Sequence, residues 1–179
     1  MNNTIIGFLD ESSQNVNINT ARLWSFKKLK VKKNTQKRER INSFGFYSLN
    51  GESVYSAKES SKQGDVCEFL YEIREKNPIG KIVVVIDNFA SHKSRKVKVT
   101  AKRLDITLVF LPPYSPDLNP IEFIWKSIKR EISSMFLMCK EELKEIVETL
   151  FYAFASSISF AKAWIEKFLI TPLRIVVIQ

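Results

Sequence analysis

Three carboxylates carry the chemistry that this sequence points to: Asp10, Asp87 and Glu122. Asp10 closes a short apolar run, residues 4–9, and Asp87 closes a second, Ile82–Ile86. Glu122 opens a helical stretch behind the stiff turn Pro112-Pro113-Tyr114-Ser115-Pro116. Converging acids repel one another and cannot all ionise cheaply. A divalent cation relieves that cost, and Mg²⁺ suits it because it takes carboxylate, water and phosphate oxygens. Two such ions about 4 Å apart activate a water and stabilise the leaving oxygen of an in-line displacement at phosphorus. The implied chemistry is phosphodiester cleavage.

Taken singly, each acid has a plainer reading. A lone aspartate after a strand is ordinarily a turn or cap residue. Glu122 by itself is a first-turn helix acid favoured by the macrodipole. Glu11 and Asp117 are read as a loop acid and a turn residue. A serine-hydrolase reading of Asp87, Ser91 and His92 fails, because no GxSxG elbow exists and residues this close in sequence do not build a triad.

The elements that must position the acids follow from the hydrophobic pattern. Residues 4–9, 22–26, 41–49 and 53–56 supply three or four antiparallel strands of a meander, with Asn50-Gly51 as a hairpin turn. A helix is predicted over residues 61–76, closed by Asn77-Pro78. Strand 82–86, a basic helix over 94–104 and strand 106–111 form a right-handed parallel crossover. Helices follow at about 120–133 and over 141–168, the latter breaking near Ser156-Ser157, and Pro172 precedes an apolar tail. The expected architecture is α/β, a mixed five-stranded sheet of antiparallel meander plus parallel crossover, flanked by helices. If the strands ending at Asp10 and Asp87 are neighbours, these acids project side by side.

A chain of 179 residues is most simply one domain, 1–179, with C-terminal helices from about 140. Its 28 basic against 19 acidic residues give a net charge of +9, the electrostatic footprint of a phosphate-backbone binder. Eight basic residues crowd positions 27–40. Lys28, Lys30, Lys32 and Lys33 there, Lys93, Arg95 and Lys96 after Asp87, and Lys126, Lys129 and Arg130 on the Glu122 helix are the candidate DNA contacts. They would neutralise phosphates without reading sequence. Tyr114 and Trp125 are available for base stacking, though for Trp125 packing is the favoured role. Two distant cysteines and a single histidine argue against zinc and against a disulfide framework. No segment reads as a signal peptide or a membrane span, so the expected location is cytoplasmic and DNA-associated.

The strings IDNFASH (residues 86–92) and PPYSPDLNPIEFIWKSIKRE (112–131) resemble the catalytic core of DDE transposases of the mariner-like superfamily, in the prokaryotic insertion-sequence branch. FLDES at residues 8–12 is similar to that family's first acidic segment, and the 34 residues between Asp87 and Glu122 match its spacing. The resemblance implies an RNase H-like fold with Asp10, Asp87 and Glu122 as catalytic metal ligands. It also implies two Mg²⁺ with DNA bound, Mn²⁺ as a substitute, and His92 and Asn119 as accessory residues. The activity implied is that of a DNA endonuclease and strand transferase. Hydrolysis at the ends of a transposon frees a 3′-OH, which then attacks target DNA without a covalent enzyme intermediate. Double-stranded DNA and a second copy of the chain are the expected partners. The family's helix-turn-helix end-recognition module is not expected here; a separately encoded partner supplies it, a frameshift joins the two, or the chain is a truncated remnant. The alternative is a catalytically inert, truncated transposase derivative that binds DNA or other partners.

Overall fold

The computed structural model describes residues 4–16, 39–113, 115–135 and 137–170. Five strands form one mixed sheet: β1 (Ile5–Asn15), β2 (Arg40–Ser48), β3 (Val54–Lys58), β4 (Ile82–Ile86) and β5 (Ile106–Phe110). Their spatial order is β3-β2-β1-β4-β5. The β1–β2 and β2–β3 pairs are antiparallel, whereas β1–β4 and β4–β5 are parallel. The meander-plus-crossover expectation therefore holds among the described residues. The strand expected at 22–26 and the lysines of the 27–40 run up to Lys33 lie outside them.

One strand departs from expectation. β1 does not stop at Leu9 but continues through the polar residues Glu11–Asn15, pairing with Arg40–Phe44 of β2. The extension is held by its ladder pairing with β2, and one of its inward polar groups also finds a partner in the sheet. The buried Gln14 Oε1 accepts a hydrogen bond from Ser43 Oγ at 2.7 Å, and that hydroxyl lies 3.0 Å from Tyr55 Oη. Ser12 Oγ and Gln14 Nε2 are buried without a hydrogen-bond partner among the described residues, so ladder pairing with β2 and the single Gln14–Ser43–Tyr55 contact stand in for apolar alternation. Asp10 is consequently a mid-strand residue rather than the end of an element, and Glu11 is not a loop acid.

Strand alternation assigns the two faces. Leu9, Phe44, Phe46, Val84 and Ile86 pack with Phe69, Leu70 and Ile73 of α1 (Gln63–Lys76) and Val97 and Ala101 of α2 (Arg95–Arg103). Phe8, Tyr47, Tyr55 and Val85 pack with Ile121, Trp125 and Ile128 of α3 (Ile121–Ile132) and Val147 and Phe151 of α4 (Lys140–Ala155). Helices thus cover both faces. Each large apolar side chain so buried contributes about 1.5–3 kcal/mol.

Local signals set the helix limits. The Asp65 carboxylate accepts from the Lys62 N–H at 3.0 Å, holding the start of α1. Asn77 ends it, donating from Nδ2 to Ile73 O and Glu52 O while Oδ1 accepts from Glu52 N. One buried amide thereby ties the helix end to the β2–β3 hairpin. Ser94 caps α2 by accepting from Val97 N. After α4 the helix breaks at Ser156-Ser157, as expected, and Tyr47 Oη donates to Ser157 O at 2.7 Å, pinning the break to β2. A 3-10 turn (Ile158–Ala161), a short helix α5 (Lys162–Ile165) and a wide turn (Glu166–Ile170) follow, where Trp164 meets Phe8 edge-on at 4.8 Å. Among the described residues no helix is long and apolar enough to cross a membrane. Cys67 and Cys139 are both free.

Candidate active site

Parallel pairing of β1 with β4 sets Leu9 opposite Ile86, so the next residues, Asp10 and Asp87, stand level at the C-terminal end of β4. Phe8 and Val85 belong to the cluster beneath α3 and α4. Alternation therefore directs Asp10 to that same face and predisposes Asp87 to it. Glu122 arrives from the other direction, in the first turn of α3. The loop from β5 is fixed by backbone bonds: Leu111 N donates to Ile86 O, Asn119 N to Pro116 O, and Glu122 N to Asn119 O. Helix α3 has no side-chain cap and follows directly on Pro120. An acid in that first turn is favoured by the partial positive charge of the helix end.

These acids line one open cavity of about 650 Å³. Asp10, Asp87, Glu122 and Asn119 share it with Lys93, and Phe89, Pro112 and Pro113 form an apolar wall. The cavity is thus two-sided, anionic against apolar. Asp10 is buried, and its carboxyl is pushed well above the ordinary range, first by desolvation and then by the negative charge of Glu122, with Glu11 and Asp87 adding to it.

Asp87 behaves in the opposite way. Burial alone would raise its carboxyl, but the hydrogen bond and charge of His92, with the Phe89 N–H, outweigh that and hold it low. His92 Nδ1 lies 2.5 Å from Asp87 Oδ1, and its Nε2 lies 2.9 Å from Glu11 Oε1. A neutral imidazole donates through only one nitrogen, so two carboxylate contacts call for the doubly protonated ring. Desolvation alone would lower the His92 pKa. The bonds and charges of Asp87 and Glu11 overcome this and lift it to about 10. The ring is 1% exposed and is not part of the cavity lining.

The donors suit a hard cation. They are carboxylate oxygens, one of them costly to ionise, together with Asn119 Oδ1, which is buried and has no hydrogen-bond partner among the described residues. Among those residues no three His, Cys, Asp or Glu side chains are drawn close enough together to hold a metal ion. The acids share a cavity and an electrostatic field rather than a finished coordination shell.

The basic candidates separate. Lys93 lies in the cavity wall, while Arg95 and Lys96 on α2 and Lys126, Lys129 and Arg130 on α3 are exposed. Lys126 sits 5.1 Å over the Phe123 ring. Trp125 is 1% exposed and packs 5.4 Å from Phe151, so it is core. Asp117 lies in the 3-10 turn Pro116–Leu118, as a turn residue should. Tyr114 falls outside the described residues.

Two participants escaped the sequence reading. Glu11 reaches His92 across 81 positions of sequence, a distance at which no local signal operates. Gly45, directly opposite Asp10, is the other. A Cβ there would stand 2.7 Å from both the Phe151 and Trp125 rings and 3.0 Å from Ile121 Cδ1. Its bareness lets α3 and α4 settle on the sheet beside Asp10.

A family model described as DDE superfamily endonuclease matches residues 6–144. The chain belongs to this family. It is 39% identical over 46 residues to the Transposable element Tcb2 transposase of Caenorhabditis briggsae, covering 26% of this chain and 17% of that protein. A protein of Sinorhizobium fredii (strain NBRC 101917 / NGR234), Uncharacterized protein y4pE/y4sA, is 43% identical over 47 residues, 26% of this chain and 33% of that one. The chain thus spans a third or less of these relatives. Among solved structures, the Mos1 transposase paired-end complex with left transposon end superposes with a TM-score of 0.71 at 19% identity, over 90% of this chain and 51% of that one. The catalytic domain of Mos1 mariner transposase gives 0.62 at 17%, over 93% and 76%. The fold of this DDE family member is the RNase H-like fold of those transposase domains. A Mos1 mariner paired end complex is also known with Mn, superposing with a TM-score of 0.67 at 19% identity over 90% of this chain and 52% of that one.

Proposed function

We propose that this chain is the catalytic part of a transposase, a metal-dependent DNA endonuclease and strand transferase acting at transposon ends. The observation that carries the reading is the convergence of Asp10, Asp87 and Glu122 from β1, β4 and α3 on one cavity with an exposed lysine in its wall. Family membership supports the same chemistry.

Asp10, Asp87 and Glu122 would hold two Mg²⁺, or Mn²⁺ in their place. When bound, the cations supply an activated water and charge neutralisation at the leaving oxygen. The chain's own residues do the rest. Asn119 offers a fixed neutral oxygen beside the acids, and Lys93 meets the phosphate at the rim. Arg95, Lys96, Lys126, Lys129 and Arg130 hold the backbone of double-stranded DNA at a distance from the chemistry. Water attacks a phosphodiester and the P–O3′ bond breaks, leaving a free 3′-OH and a 5′-phosphate. That 3′-OH then attacks a phosphodiester of target DNA, displacing the target's own 3′-oxygen. Bonds made and broken balance in each step, with no covalent enzyme intermediate.

A second copy of the chain and a separately encoded helix-turn-helix protein are the partners this reading expects, in a cytoplasmic, DNA-associated setting. The test is nicking of supercoiled plasmid in Mg²⁺ and Mn²⁺ by wild type, Asp87→Asn and Glu122→Gln. Metal-dependent nicking abolished in both variants supports the reading. Nicking that persists unchanged in both overturns it.

A further inference from the structure

We propose that Glu11 and His92 form a brace that fixes Asp87 relative to Asp10, so that Glu11 is a positioning residue for the cation site. The inference rests on the metal-dependent reading above. Its ground is the unbroken chain from Glu11 Oε1 through His92 Nε2 (2.9 Å) and Nδ1 to Asp87 Oδ1 (2.5 Å).

Asp87 needs such a brace more than the other two acids. Asp10 is locked in the middle of β1, paired on both sides through its neighbours, and Glu122 stands on a helix. Asp87 lies one residue beyond β4, where the ladder has ended, and its side chain is 41% exposed. An aspartate in that position has two free side-chain torsions, and ordering it costs conformational entropy. His92 supplies the order in advance. Its ring is buried, and its far nitrogen is held by a carboxylate rooted in the central strand.

The geometry explains why the anchor is Glu11. Adjacent residues of a strand point to opposite faces. Asp10 faces the cavity on the α3 side, so Glu11 takes the face shared by Leu9 and α2, from which it reaches His92. The brace passes round the end of β4 and returns to Asp87, tying it to the strand that carries Asp10. Both Asp87 hydrogen bonds, from His92 and from Phe89 N, fall on Oδ1. Oδ2 is the oxygen left to a cation. Both His92 ring nitrogens are engaged, one by each carboxylate, and the ring lies outside the cavity lining.

Partners that orient metal ligands are typically worth about 10–100-fold in metal affinity. The experiment measures Mn²⁺ binding to the full chain by electron paramagnetic resonance for wild type, Glu11→Ala, Glu11→Gln, His92→Ala and the Glu11→Ala/His92→Ala double variant, with circular dichroism as the folding control. Plasmid nicking is recorded in parallel. Glu11→Ala is expected to weaken Mn²⁺ binding about tenfold, Glu11→Gln to restore most of it, and the double variant to match His92→Ala alone. Wild-type Mn²⁺ affinity in Glu11→Ala overturns the brace and leaves the nuclease reading standing, as does a double variant that loses the sum of the two single effects. If Glu11→Ala does not fold, the Glu11→Gln and His92→Asn variants carry the test, and equal losses in both overturn the brace. Failure of wild type to bind Mn²⁺ removes the metal-dependent reading and the brace with it.

Discussion

Asp10 and Gly45 face each other across the β1–β2 ladder, the costliest acid of the cavity beside the barest position of the sheet. The pairing is a packing requirement. Gly45 provides the clearance that the Trp125 and Phe151 rings occupy, and the same approach of α3 carries Glu122 to the cavity that Asp10 lines. Replacing Gly45 by Ala puts a methyl group at 2.7 Å from both rings. Overpacking of this kind costs about 1–3 kcal/mol. For a protein of this length Tm should fall by about 2–4 °C per kcal/mol. Nicking measured well below Tm should fall further than the stability loss accounts for, because α3 is displaced with Glu122 on it. Unchanged Tm and rate would refute the packing role.

Asp10 opposes folding at neutral pH. Its carboxyl is raised well above its ordinary value of 3.8 on folding, so the native state holds the proton more tightly than the unfolded chain. That linkage costs stability as pH climbs from the unfolded value through the folded one, and the full cost persists above it. Asp10→Asn removes the charge. The variant should melt higher than wild type at pH 7 without divalent cations, by about 2–4 °C per kcal/mol relieved. Millimolar Mg²⁺ should raise the wild-type Tm and narrow the gap, because a ligand of the native state stabilises it by mass action. A lower Tm for Asp10→Asn in metal-free buffer would contradict the electrostatic account.

His92 carries the opposite sign. Its pKa rises from 6.5 to about 10 on folding, so the native state is favoured by holding the proton. The contribution is complete below the unfolded value and fades as pH rises from about 6.5 through 10. The Tm advantage of wild type over His92→Gln should therefore shrink across that window. Because the chain has one histidine, a single imidazole spin system reports its state. ¹⁵N shifts should show both ring nitrogens protonated at pH 8, and a neutral ring at that pH would remove the double-donor geometry.

Arg95 and Lys96 are exposed at the start of α2, close behind the cavity-lining Lys93. As phosphate contacts they carry affinity without sequence preference. Each phosphate neutralised on duplex DNA contributes about 0.9 to the slope of log K against log salt. Replacing both by Ala should weaken binding to unrelated duplexes alike and flatten the slope by up to about 2. Fluorescence anisotropy over a range of salt checks this, and an unaltered slope would place the DNA elsewhere.

The parts of the fold legible in the sequence were those governed by local rules. Ile82–Ile86 announces a buried strand by unbroken apolarity, Ile106–Phe110 reads as a strand although Thr107 interrupts it and only Ile106 is buried, and Val66, Phe69, Leu70 and Ile73 mark α1 by helical spacing. Glu11–Asn15 was not legible as strand, because it is held by its pairing with β2 and by Ser43 and Tyr55, which lie on other strands. Asp87 and Glu122 were legible as strand-end and helix-start residues, whereas Asp10, read as a strand end, lies in mid-strand. Their unequal character was not, since Asp10 is raised by burial and Asp87 lowered by His92, and neither effect exists before the sheet closes. The Glu11 contact was hidden for the same reason.

The strand order bears on how the protein is made. β1 is made before its partners β2 and β4, and its Asp10 face is covered by the still later α3 and α4. Non-local pairings of this kind are slow to form. A nascent or prematurely ended chain therefore carries Asp10 and Asp87 long before it owns the helix that brings Glu122 and seals the cavity face. A chain that stops before α3 has two of the cavity acids but neither Glu122 nor a covered sheet face, so the cavity exists only once α3 has joined the sheet.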